Sequence, residues 1–100
     1  MNAIAKVSDI TYEDIADYLR LDTPDAGEIN TLNMLIGVAV GFIQGYTGLT
    51  AAQIDEHKDI VIVVFVLCQD MYDNRCLYVD NENLNKVVET VLGMYRVNLL

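Results

Sequence analysis

The longest unbroken apolar run in the chain is Ile60 to Cys68, with Asp59 before it and Gln69 after it. Its β-branched residues (Ile60, Val61, Ile62, Val63, Val64, Val66) suit a buried strand. The absence of Gly or Pro at either end suits a buried helix, as does the continuation through Met71, Tyr72 and Cys76. A helix that is apolar all round is one surrounded by others. The run therefore predicts a central helix from about Glu56 to about Leu77, with the other elements packed around it.

Those elements follow from the same pattern. Thr11 with Asp14 is a capping box, Ile10 and Ile15 are placed as a hydrophobic staple, and Ile15, Tyr18 and Leu19 share a face. This predicts a short first helix ending near Arg20. After the loop Asp22–Gly27, either Thr23 (with Pro24 in the first turn) or Asp25 can cap a second helix. There Ile29, Leu32, Ile36, Ala39 and Ile43 recur at helical spacing, and Gly48 suits a left-handed stop. Thr50 with Gln53 opens a short turn into the central helix, whose N-terminal end collects Asp55, Glu56 and Asp59. Beyond the polar loop Asp80–Asn83, Leu84, Val87, Val88, Val91, Leu92 and Tyr95 give the clearest amphipathic stripe in the chain. Residues 1–9 lack periodicity and read as a flexible arm or an added strand. The expectation is an all-α fold: one domain over residues 1–100, with four main helices around the central apolar one.

Gly37, Gly41 and Gly45 fall every fourth residue on the second helix. Each costs ~1 kcal/mol relative to Ala in a helix interior. Their spacing predicts close packing against another helix, within the chain or in a neighbouring subunit. A membrane dimerisation motif has the same spacing, but Asn30, Asn33 and Gln44 oppose lipid. The apolar core of this segment, Met34 to Ile43, is also shorter than the ~20 residues a span needs, so no membrane segment or signal peptide is expected.

Composition narrows the function. Hydrophobic residues make up 53% of the chain, ample for a core, and charged residues 21%. Six Lys+Arg against fifteen Asp+Glu give a net charge of −9. Phosphate backbones repel such a chain, which argues against gripping DNA or reading its sequence. Cys68 and Cys76, about 12 Å apart along one helix, are too far apart for a disulfide and read as reduced core thiols.

Candidate chemistry is sparse. His57 is the only histidine, which rules out a His-rich metal site or a two-histidine mechanism. Neither thiol has a cationic neighbourhood to activate it. Asp70 and Asp73 share a helix face but read as solvated, or as partners of Arg75 or of a neighbouring chain's cation. The glycines are spaced for helix packing and do not form a phosphate-binding loop. No enzyme, cofactor or metal is expected.

One cluster remains, Asp70-Met71-Tyr72-Asp73-Asn74-Arg75. An apolar helix ending in Tyr72-x-Asn74-Arg75 resembles the small head–tail connector proteins of long-tailed bacteriophages, also called head-completion or adaptor proteins. Three other stretches agree in order: Ile-Thr-x-x-Asp-x-x-x-Tyr-Leu-Arg (Ile10 to Arg20), a helix closing on Tyr46-Thr-Gly48, and Val88 to Arg96 followed by Asn98-Leu-Leu. The resemblance implies a helical, non-catalytic protein. Such a protein forms a ring with itself between the portal and the tail-side connector or tail terminator, through which DNA passes. It implies a place in the virion, and in the host cytoplasm during assembly. Tyr72, Asn74 and Arg75 would hold the end of the central helix, with Gly37, Gly41, Gly45, Tyr95 and Arg96 as further structural or interface candidates. The alternative is a small soluble helical interaction module that forms no ring.

Overall fold

The structure, a computed structural model, describes residue 4 and residues 6–95. Among them there is no strand. Five α-helices follow one another: α1 (Tyr12–Tyr18), α2 (Ala26–Thr47), α3 (Ala51–Asp55), α4 (Ile60–Asp73) and α5 (Lys86–Tyr95). Single 3-10 turns lie at Val7–Asp9 and Asn81–Asn83. The all-α expectation is met.

Helix starts are written in local chemistry. The Thr11 backbone N–H donates to Asp14 Oδ2 at 2.8 Å, half of a reciprocal box. Of the two caps the sequence allowed for α2, Asp25 is used: it accepts from the Glu28 N–H at 2.8 Å while Glu28 reaches back to the Asp25 N–H. Thr50 and Gln53 form the same box on α3. Seven residues are too few for α1 to stand alone. Burial of Ile15 and Ala16 against the core holds it in place.

α4 is central, packing on α2, α5, α1 and the Val7–Asp9 turn. Ile60, Val63, Val64 and Cys68 are fully buried against Leu32, Leu35, Ala39 and Ile43 of α2 and Val88 and Leu92 of α5. The helix is shorter than the expected 56–77. Glu56 still belongs to the end of α3, and His57–Asp59 turn the chain, with Ile60 N–H donating to His57 O at 3.1 Å. At the other end Arg75 takes a left-handed conformation (φ 54°). The Cys76 N–H then folds back to Met71 O (3.0 Å) and the Arg75 N–H to Tyr72 O (3.2 Å), the paired bonds of a Schellman stop. The apolar pattern through Cys76 and Leu77 therefore continues past the helix that it predicted.

Two other expectations change. Val7–Asp9 is neither a flexible arm nor a strand, for Val7 is buried and the Ser8 N–H donates to Asp55 Oδ1 at 3.1 Å. Gly37, Gly41 and Gly45 do not pack against any of the described residues. Among those residues a Cβ built on any of the three meets nothing within 4 Å. They lie on the solvent side of α2, opposite the stripe Leu32, Leu35, Ala39, Ile43 that faces the core. Arg96 and the tail to Leu100 lie outside the described residues.

Candidate functional site

The residues singled out in the sequence gather at the two ends of α4 and along the back of α2. At the C-terminal end of α4, Asn74 caps the helix by donating from Nδ2 to Asp70 O at 2.8 Å. Arg75 is exposed, and its guanidinium sits 6.0 Å from the centroid of the Tyr72 ring. Among the described residues no carboxylate or carbonyl is bonded to that guanidinium. Arg75 ends the helix through its backbone, and its side chain is left facing outward. Asp70 is half-buried, and loss of water, then the charge of Asp73, holds its carboxyl above the usual carboxylate range.

A cleft of about 340 Å³ opens here between α4, the loop and the start of α5. It is lined by Asp70, Asn74, Cys76, Tyr78, Asp80 and Asn83, among others. Its groups are carboxylates, amides and a thiol whose contact is the Tyr78 carbonyl at 3.5 Å. The histidine is remote from that thiol, because His57 precedes the start of α4 and Cys76 follows its end, a helix about 20 Å long. The other thiol, Cys68, is buried and its pKa is pushed up to about 12, so it is inert. No group of three metal-ligating side chains occurs among the described residues.

At the N-terminal end of α4 a clasp forms that the sequence pattern did not reveal. The Tyr95 hydroxyl donates to Asp59, 2.9 Å from Oδ1 and 2.8 Å from Oδ2. The His57 ring stacks on the Tyr95 ring with centroids 4.1 Å apart. This ties the end of α5 to the α3–α4 turn. The hydrogen bond to Asp59, then loss of water and the carboxylate charge, raise the Tyr95 phenol above its usual range. Three residues that share no helical face are involved, so periodicity could not have found them.

Several large apolar side chains are exposed on the remaining surface. Ile62 on α4 is 57% exposed and Met34 on α2 is 50% exposed. Tyr18 stands beside this α4 face, its ring 5.2 Å from that of Phe65. By length and composition α2 can cross a membrane, contrary to the expectation that its apolar segment was too short. Asn30, Asn33 and Gln44 are polar but uncharged, so they interrupt the run without disqualifying it. The inner stripe of α2 is nevertheless a wall of the core. Compared with protein-family models, with curated proteins and with solved structures, the chain matches none.

Proposed function

We propose that the chain is a structural head–tail connector of a bacteriophage or prophage, a ring-forming adaptor that docks on the portal after DNA packaging and offers a surface to the tail. The observation that carries this reading is the position of the four ordered motifs. Ile10–Arg20 runs from the Thr11 capping box to a left-handed Arg20 (φ 61°) that stops α1. Tyr46-Thr-Gly48 ends α2, with Gly48 at φ 77°. Tyr72-x-Asn74-Arg75 ends α4, and Val88 to Tyr95 is the body of α5. Each motif therefore sets a helix boundary or fills the core, the work expected of residues that define a fold and carry no chemistry.

The surface supports the same reading. A net charge of −9 discourages adhesion to DNA passing through a ring. Exposed apolar side chains on a small domain suit a subunit made for assembly. Sedimentation of the purified protein over a concentration series, with and without portal protein, tests the proposal. Higher-order assembly together with portal binding is expected. A monomer or dimer at every concentration that ignores the portal would point to the interaction module instead.

A further inference from the structure

The cleft beside Asp70 and Asn74 does not stop at the loop. Asn83 and Leu84 also wall a second, wider cleft of about 820 Å³. Its other walls are Phe42 and Tyr46 near the end of α2 and Glu89 on α5. The two clefts adjoin at the shared residues, forming an open groove from the last turn of α4 to the last turns of α2. Its floor is apolar: Leu67 and Met71 are buried beneath one half, and the Phe42 ring lies 5.6 Å from that of Tyr46 in the other.

The charge along this groove has one sign. Asp70, Asp80, Glu82 and Glu89 line it, and among the described residues no Lys or Arg does. Arg75 and Lys86 are close in sequence but line neither cleft, and none of the four carboxylates is in an ion pair among the described residues. Asp80 is pinned, accepting from the Glu82 N–H at 3.2 Å and from Asn83 Nδ2 at 3.0 Å. The backbone adds to the acids, since α2 and α4 both bring their electronegative C-terminal ends here. The start of α5 opposes them only in part, because Asn85 Oδ1 takes up the Val87 N–H at 2.8 Å.

We propose that this groove docks a short basic segment of a partner protein, with its apolar side chains on Leu84 and Phe42 and its lysines or arginines against Asp70, Glu82 and Glu89. Charge complementarity selects this occupant. A second copy also carries −9, and nucleic acid is repelled in the same way. A bare metal ion gains nothing from an apolar floor, and no three metal-ligating side chains gather among the described residues. An uncharged apolar segment would desolvate the acids without pairing them. Asp70 supplies a further reason: loss of water and the charge of Asp73 hold its carboxyl above the usual range, and an arriving cation offsets both. The contact does not depend on the connector reading.

The test uses the full chain and a short labelled peptide alternating arginine and leucine, in about 0.15 M salt, where distant charges are screened. Anisotropy reads binding, and backbone amide shifts locate it. Glu82→Gln with Glu89→Gln removes two exposed groove acids whose side chains bond nothing among the described residues. Asp9→Asn with Glu56→Gln makes the same change of charge at exposed sites near the start of α4. Dichroism checks that both variants fold. The groove variant should bind roughly three- to tenfold more weakly, and the distal one like the wild type. Shifts should be confined to the α4–α5 loop and the ends of α2 and α4. A peptide alternating lysine and serine should bind less well, because it leaves the apolar floor bare. Equal losses in the two variants, or shifts scattered over the acidic surface, would mean unspecific attraction and overturn the proposal. So would a wild-type chain that binds neither peptide. Displacement by magnesium beyond that by sodium at equal ionic strength would assign the groove to a divalent cation instead. The connector proposal is judged separately, by portal binding.

Discussion

Replacing Gly37, Gly41 and Gly45 by alanine, singly and together, should stabilise the isolated chain. Each new methyl group meets nothing within 4 Å, so no overpacking opposes it. Alanine is favoured over glycine by ~0.8–1.0 kcal/mol in an exposed helix interior, because glycine surrenders more backbone freedom on folding. The three sites share no partner, so the triple variant should gain roughly 2–3 kcal/mol. For a domain of this size that is a rise in Tm of roughly 10–20 °C. Urea unfolding followed by dichroism, at concentrations too low for self-association, gives the midpoints; m should stay constant, since the unfolded surface hardly changes. A lowered midpoint for Gly41→Ala in the monomer would refute the open-face reading and restore close packing within the chain.

Two further substitutions probe the ends of α4. Asp70→Asn should raise the urea midpoint at pH 7 and leave it unchanged below the usual carboxyl value of 3.8. A carboxyl whose folded pKa is raised favours the fold while protonated, and that benefit is lost as pH rises through the folded value; an equal effect at both pH values would disprove the burial and Asp73 explanation. The clasp predicts that the Tyr95 phenol titrates above its ordinary value, and that Tyr95→Phe removes this late step from the tyrosine titration. The associated stability is present below about 10 and falls as pH rises through the folded value. A tyrosine titration whose late part is unchanged by Tyr95→Phe would count against the bond to Asp59.

Most of the fold was legible because short polar signals lie beside apolar periodicity. Thr11/Asp14, Thr50/Gln53 and Gly48 each specify a boundary by local bonding, and each is used as the sequence suggested. The boundaries of α4 were misread. Arg75, in the left-handed conformation, stops it where glycine is the usual signal, just as Arg20 stops α1 at the place the sequence suggested. An arginine continues a helical pattern as well as most residues do, so nothing in composition marks the stop. The start of α4 was hidden in the same way, for Asp55, Glu56 and Asp59 suit the first turn of a helix as readily as a turn between two.

The surface faces were harder to read for a geometric reason. A sequence that is apolar around a whole helix implies enclosure, yet enclosing one cylinder takes roughly six others of equal width at helix packing distances. Among the described residues α4 packs chiefly on α1, α2, α5 and one 3-10 turn. One sector stays open there, and Ile62 and Val66 fall in it, although their sequence context is the same as that of the buried Val63 and Val64. The same shortage leaves α2 covered on one side only. Its glycines could be recognised as a face, but whether that face turned inward depended on how many helices a hundred residues can build. With too few helices among the described residues to wrap both apolar ones, the uncovered sectors follow from the fold and not from any weakness in the apolar pattern.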